Sequence, residues 1–364
     1  MAETRNQAGA GRREPAPVTP EGAPAGLNER PDVPSGPTEM GGGSWLAAGK
    51  RALGEFGNDQ LQDRAAALTY YAVLSIFPGL LVLVSLLGLF GKSTTQPLIT
   101  NLTQAAPASV RQIITHAISN LQNGHGAAGF AAIIGIVLAL WSASGYIAAF
   151  MRAANVVYDV PEGRPFWKTT PIRLVVTVVI MVLLVASALM VVITGGLASH
   201  VGQVLGIGST AVTVWDIAKW PVLLIIVSVM ISILYWAGPN AKRGFQWVSP
   251  GGILAVVIWL IASGLFALYV ANFSHYSKTY GSLAGMIIFL IWLWISNLAI
   301  LFGAEFNAEL ERGRAVAGAG VPLGHEPYVE LRDRRKLERK QRKEQRKQED
   351  EAAVAGESGA RRLG

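Results

Sequence analysis

Three polar side chains interrupt the last apolar stretch of the chain and are its clearest candidates for chemistry. Asn297 lies in the middle of YGSLAGMIIFLIWLWISNLAILFGAEFNAELERGR, residues 280–314, and Glu305 and Asn307 follow as the apolar run ends. Ser296 and Asn307 are spaced to share one helix face, and Asn297 occupies the neighbouring face. We expect this polar side to face protein or a cavity rather than lipid.

Two interpretations of these residues stay open. Asn297 either makes an interhelical hydrogen bond, worth about 0.6–2 kcal/mol, or lines a substrate path. Glu305 either forms a structural ion pair at the membrane boundary or acts as a gate. The cationic candidates for such a pair are Arg152, Lys242 and Arg243 on predicted loops.

Residue types known from metal and nucleophile chemistry are sparse. The chain has no cysteine, and its five histidines are scattered: His116, His125, His200, His275 and His325. No acidic cluster accompanies them, so the sequence predicts no metal site and no catalytic group for phosphodiester cleavage. It also lacks a nucleotide-binding loop. We therefore expect a protein that is not an enzyme and needs no cofactor.

The elements that position the polar residues are membrane helices. The chain is 51% hydrophobic and 15% charged, whereas about a quarter of the residues in soluble domains are charged. Six uncharged stretches are long enough to cross a hydrocarbon core of about 30 Å as helices. The predicted fold is all-α, with spans at 65–90, 127–150, 174–197, 217–237, 251–273 and 282–304, and Pro78 should kink the first.

The distribution of Lys and Arg predicts the orientation. With the N-terminus in the cytoplasm, the inside segments hold 27 of the 31 Lys and Arg residues, as the positive-inside rule requires. An even number of spans then places both termini in the cytoplasm. The short segment 110–121 repeats apolar residues at helical spacing, which predicts an amphipathic helix on the outer side.

The regions outside the spans differ in composition. Residues 1–43 are rich in Pro and Gly and are predicted to be disordered. Residues 44–66 predict an amphipathic juxtamembrane helix, residues 67–312 the membrane domain, and residues 313–364 a basic, largely disordered cytoplasmic tail, of which residues 332–347 may also form a charged helix. We expect this tail to contact anionic lipid headgroups rather than nucleic acid, through Arg332, Arg334, Arg335, Lys336, Arg339 and Lys340.

Four motifs resemble the YihY/virulence factor BrkB family of bacterial inner-membrane proteins. They are DRAAALTYYAVLSIFP (residues 63–78), NVVYDVPEGRPFW (155–167), YWAGPNAKRGFQWVSPGG (235–252) and the stretch from residue 280 quoted above. The resemblance covers roughly residues 44–312 and implies a six-helix plasma-membrane protein. It carries over as candidate site residues Asp63, Tyr70, Tyr71, Pro78, Asn155, Tyr158, Pro239, Asn240, Pro250, Tyr280, Gly281, Asn297, Glu305 and Asn307.

The resemblance and the uncharged bundle together suggest three functions. The first is transport or handling of a lipid-like or amphipathic envelope substrate. The second is a membrane scaffold that binds an envelope protein and moves nothing. The third, an older family label as a ribonuclease, is disfavoured because the chain offers no catalytic constellation.

Overall fold

The computed structural model describes residues 42–88, 127–192, 209–272, 282–319 and 328–363. The predicted outer helix at 110–121, Tyr280 and Gly281 lie outside these residues, as does nearly all of the N-terminal segment 1–43. Pro78 lies within a described helix, but its side chain is outside the described part.

Over the described residues the chain forms helices only, apart from an isolated antiparallel bridge between Ala241 and Leu331. The all-helical class is therefore confirmed. The helices are α1 (Gly42–Asn58), α2 (Leu61–Gly88), α3 (Ala127–Val157), α4 (Phe166–Val192), α5 (Ser209–Ala237), α6 (Pro250–Asn272), α7 (Ser282–Ala319) and α8 (Arg335–Leu363).

Each predicted span coincides with one of the helices α2 to α7. Within the described residues, four stretches are long and apolar enough to cross a membrane: Phe166–Val191, Val212–Ala237, Pro250–Ala271 and Ala284–Val316. Their exposed surfaces are largely apolar side chains, as expected for helices that face lipid. The count of six spans and the cytoplasmic position of both termini stay predictions.

The predicted juxtamembrane helix at 44–66 ends earlier than the sequence suggested. Helix α1 stops at Asn58, and Gln60 has a left-handed backbone with φ of 52°. Helix α2 then begins at Leu61 and carries Asp63 in its first turn. A negative charge at that position interacts favourably with the positive end of the helix dipole. The chain therefore turns a corner between α1 and α2.

Helix α1 packs against α7 through small and aromatic residues. Ala48 and Ala52 are fully buried and contact Phe306 and Leu310. The Trp45 and Phe306 ring centroids lie 6.0 Å apart. The apolar side of this amphipathic helix is thus covered at least in part by protein.

Helices α6 and α7 approach each other more closely than ordinary side chains allow. A Cβ atom built on Gly303 would lie 2.3 Å from the Gly251 carbonyl oxygen, and one on Gly251 would lie 1.9 Å from the Gly303 carbonyl oxygen. Nearby, the Tyr235 hydroxyl donates to the Ile300 carbonyl oxygen at 2.6 Å. Small residues permit this kind of contact between membrane helices.

Substitution of Gly303 tests the contact. We expect Gly303→Ala to lower the free energy of unfolding by about 1–3 kcal/mol or more, because the added methyl group overlaps backbone rather than a movable side chain. Thermal unfolding in detergent measures the change. Gly285→Ala, in the same helix with open space at its Cβ position, is the matched control; equal effects of the two would contradict the close approach.

Candidate functional site

Asn297 links three helices and is fully bonded. Its Oδ1 accepts from the Tyr146 hydroxyl of α3 at 2.9 Å, and its Nδ2 donates to the Thr69 hydroxyl of α2 at 3.1 Å. Asn297 is 4% exposed. This geometry is that of the interhelical hydrogen bond, the first of its two sequence interpretations.

The other polar residues of α7 contact α6. Ser296 accepts from the Trp259 indole nitrogen at 3.0 Å and donates to the Trp292 carbonyl oxygen. Asn307 accepts from the Gly251 amide at 2.8 Å and donates to the Ser249 hydroxyl at 2.9 Å. Asn307 therefore satisfies a free backbone donor at the start of α6, as a capping residue does.

Three segments meet at one end of the bundle, where α3 and α5 end and α4 and α6 begin. We call this end the polar face and define it as residues 158–165, 238–249 and 328–334. Asn240 is fully buried at its centre. Its side chain donates to the carbonyl oxygens of Pro161 (3.1 Å) and Asp333 (3.0 Å) and accepts from the Asp333 amide at 3.1 Å. One amide group thus joins all three segments.

Asn155 and Arg164 extend this network. The Asn155 side chain accepts from the backbone N–H of Asn240 at 2.7 Å and donates to the Glu162 carboxylate. Arg164 is 2% exposed, pairs with Glu162 at 2.8 Å and donates to the Gly238 carbonyl oxygen. Burial acts to raise the pKa of Glu162, but its bonds to Arg164 outweigh burial and lower it. The network fixes the ends of α3 and α5.

Residues 328–333 belong to this network, which differs from the largely disordered tail predicted for 313–364. Helix α7 continues to Ala319, and Tyr328, Leu331 and Asp333 are buried against the bundle. Asp333 accepts from Lys168 at 2.5 Å. Burial would raise the pKa of Asp333, but this bond lowers it. Apolar burial and backbone pairing account for the difference, because both offset the entropy of ordering the segment.

The six basic residues predicted for lipid contact divide into two groups. Arg332 is not on the free tail, because its guanidinium donates to the Trp236 carbonyl oxygen at 2.7 Å and lies 5.2 Å from the Trp236 ring centroid. The other five lie at or within α8: Arg334, Arg335, Lys336, Arg339 and Lys340. Arg339 stacks on Trp167 with its guanidinium 4.7 Å from the ring centroid.

Glu305 does not form the predicted ion pair. Arg152 lies over the Tyr71 ring, Lys242 pairs with Glu330, and Arg243 donates to the Tyr158 hydroxyl. The Glu305 side chain instead lies within hydrogen-bonding reach of the side chain of Asp59, another acid. The neighbour of Glu305 is thus an acid from the α1–α2 corner and not one of the three predicted loop cations.

A small cleft opens on the polar face beside Arg243. Its lining residues are Ser232, Tyr235, Trp236, Arg243, Gly244, Gln246 and Ser249, and the open space of about 190 Å³ beside them is continuous with solvent. The cleft is therefore a shallow surface site whose lining offers a guanidinium and two serine hydroxyl groups to a small polar group, and it does not enclose an entire lipid molecule.

The structure brings together some of the predicted site residues. Tyr158, Pro239 and Asn240 meet on the polar face, and Asn155 reaches it from the end of α3; all four are buried. Asp63 is exposed on α2 and stands apart from them. Within the described residues, no group of three or more His, Cys, Asp or Glu is placed to hold a metal ion.

A family model and curated relatives match most of this chain. The model described as "Virulence factor BrkB" matches residues 52–322. The chain belongs to the BrkB virulence factor family. The match includes α2 to α7 and the network partners Asn155 and Asn240, and it ends before residues 328–333.

Individual relatives include proteins with two kinds of name. The ribonuclease-like protein YfkH of Bacillus subtilis is 34% identical over 69% of this chain and 90% of its own length. A UPF0761 membrane protein of Alkalilimnicola ehrlichii is 29% identical over 70% of this chain and 56% of its own length. The UPF0761 membrane protein VV0203 of Vibrio vulnificus is 26% identical over 71% of this chain and 80% of its own length. No solved structure matches the chain.

Sequence reasoning missed Arg164, Trp236 and Asp59 as parts of the site. Arg164 and Trp236 lie inside the motifs at 155–167 and 235–252, so the motifs themselves were a usable signal. No sequence signal pointed to Asp59, because its role depends on the α1–α2 corner that brings it to Glu305. The membrane-protein character and membrane location expected from the sequence are confirmed by the relatives and the apolar helices.

Removal of the central amide tests the polar face. We expect Asn240→Ala to destabilise the protein by about 1–3 kcal/mol, because it leaves buried backbone groups without partners. The segment at 328–334 should also become more sensitive to limited proteolysis. Asn58→Ala, which removes an exposed bond within α1, is the control. Unchanged proteolysis of 328–334 in Asn240→Ala would show that other contacts hold the segment.

Proposed function

We propose that this BrkB family protein handles lipid-like or amphipathic envelope molecules and binds anionic headgroups at the cytoplasmic leaflet. The proposal assigns the polar face to the cytoplasm, in keeping with the positive-inside distribution of Lys and Arg. Transport of the bound molecule is the activity we assign to the membrane helices. The cleft beside Arg243 is the observation that carries the proposal.

Two arginines near the cleft, Arg243 and Arg332, form no direct ion pair in the part of the chain that the structure describes, although the negative charge of Glu311 acts on Arg243. Burial, followed by the positive charges of Arg164 and Arg243, lowers the pKa of Arg332. Such mutual repulsion costs energy, and a bound anion would offset it. Guanidinium groups suit phosphate oxygens in charge and shape.

Exposed aromatic side chains on the same surface support a position at the depth of the lipid headgroups. Trp247 is 69% exposed, and Phe245 packs edge-on against both Trp236 and Trp247. Trp and Tyr concentrate at membrane–water interfaces, where an apolar ring and a polar edge are both satisfied. The cleft would then open where headgroups lie.

The polar side of α7 is less suited to a substrate path. Asn297 and Asn307 bond to groups outside α7, and Ser296 bonds both to Trp259 of α6 and to Trp292 of its own helix. A substrate that passed there would have to break buried bonds. We therefore assign substrate recognition to the cleft and structural roles to these three residues.

A scaffold function is the second candidate, favoured by α8. This 29-residue helix has a strongly basic first half, and most of its side chains are exposed over residues 335–351. It would attract anionic lipid by about 1 kcal/mol per basic residue near the surface, or dock an acidic envelope partner. We further propose that the chain is not a ribonuclease, since the polar residues gathered on the polar face are committed to structural bonds.

Native mass spectrometry of gently purified protein tests the headgroup cleft. We expect wild type to retain anionic phospholipid and the double variant Arg243→Gln/Arg332→Gln to lose it roughly tenfold or more, because a charge-assisted hydrogen bond is worth about 1.5–3 kcal/mol and about 1.4 kcal/mol is a tenfold change. The double variant Arg243→Gln/Arg332→Lys, which keeps a positive charge at residue 332, should retain more lipid than Arg243→Gln/Arg332→Gln does.

Lys242→Gln is the matched control, since it removes an exposed charge from the same loop. Retention that is unchanged in the double variant would contradict the headgroup cleft. If truncation after Arg334 alone abolished retention, α8 would be the lipid contact and the scaffold function would be favoured.

A further inference from the structure

Asp59 and Glu305 form a carboxyl pair at the junction of α1, α2 and α7. Asp59 lies in the corner between α1 and α2, where its amide donates to the Glu55 carbonyl oxygen at 2.8 Å. Its own carbonyl oxygen accepts from Arg64 Nε at 2.7 Å. Both the N–H and the carbonyl group of Asp59 are thus hydrogen-bonded. Its side chain lies within reach of Glu305 on α7.

Glu305 is enclosed and incompletely bonded. It is 1% exposed, and its Oε2 atom is buried without a hydrogen-bond partner. An ionised carboxylate in such a place would carry a large desolvation cost. A protonated carboxyl group avoids that cost and supplies the donor that a hydrogen bond between two acids requires.

The surrounding cations are already engaged with other acids. On α1 and α7, Arg51 pairs with Glu309. Arg312 pairs with Asp159 of the α3–α4 turn and with Glu309. These pairs leave Asp59 and Glu305 to share a region that is rich in carboxylates.

The remaining charged and titratable groups do not supply a counter-ion for Glu305. Glu55 adds negative charge on the α1 side, and Arg64 on α2 offsets part of it. Tyr328 contributes only a buried phenol, whose pKa is raised well above the usual value, chiefly by burial. The carboxylates at the junction therefore outnumber the arginines that face them.

We propose that Asp59 and Glu305 are a proton-binding site that fastens the α1–α2 corner to α7. The ligand is a single proton shared between the two carboxyl groups and exchanged with water through the partly exposed Asp59. Loss of the proton leaves two adjacent carboxylates whose repulsion pushes the corner away from α7. Gln60, with its left-handed backbone next to Asp59, is the point at which the chain can bend.

The direction of the pH effect follows from Asp59. Burial is the main cause that raises its pKa above the ordinary 3.8. The folded protein therefore binds this proton more tightly than the unfolded chain does. Its contribution to stability is greatest at low pH and declines as pH rises above 3.8 toward the raised pKa.

Infrared difference spectroscopy of the full chain in lipid vesicles tests the site. The expected result is a protonated carboxylic acid band at neutral pH that disappears as the pH is raised. The band should be lost in the double variant Asp59→Asn/Glu305→Gln. Glu311→Gln, which removes a carboxylate paired with Arg314 on the same helix, should leave it intact.

Thermal unfolding across pH gives a second readout. Glu305→Gln imitates the neutral acid and should fold, and its unfolding temperature should fall less with rising pH than that of wild type. A band that persists in the double variant, or the same pH dependence in wild type and Glu305→Gln, would overturn the proposal. Stabilisation of wild type by sodium but not by protons would also overturn it and indicate a bound cation instead.

Discussion

Lipid supplies no hydrogen-bond partner, and this constraint governs where the polar groups inside the apolar helices α2 to α7 lie. Asn297 must find its partners on other helices, and it finds Tyr146 and Thr69. Asn307 must likewise reach the start of α6. Because each bond crosses between helices, the same groups that would be costly in lipid hold the bundle together. The close contact of Gly251 with Gly303 depends on this alignment.

The charged groups obey the same constraint by collecting at the polar face. Asn240 joins its three segments, and Arg164 ties the end of α5 to the α3–α4 turn. A surface fixed in this way holds Arg243 close enough to Arg332 for their charges to repel, and neither forms a direct ion pair within the described residues. The anion that would relieve their repulsion is, in our account, a headgroup of the surrounding membrane.

The sequence predicted the helices well because apolar length and the absence of charge determine a membrane helix directly. Asn155, Tyr158, Pro239 and Asn240 could also be named from motifs, since each lies at the end of a predicted helix. Residues 328–333 could not be placed, because their burial depends on contacts with residues nearly a hundred positions earlier. The partner of Glu305 was predicted wrongly for a similar reason: the turn at Gln60, and thus the position of Asp59, is a tertiary feature.

The most direct test of the headgroup account is an electron cryo-microscopy map of the full chain in nanodiscs that contain anionic phospholipid. We predict phosphate density in the cleft lined by Ser232, Trp236 and Ser249, within hydrogen-bonding distance of Arg243 or Arg332. A cleft that holds only water, with ordered headgroups elsewhere on the protein, would contradict the account.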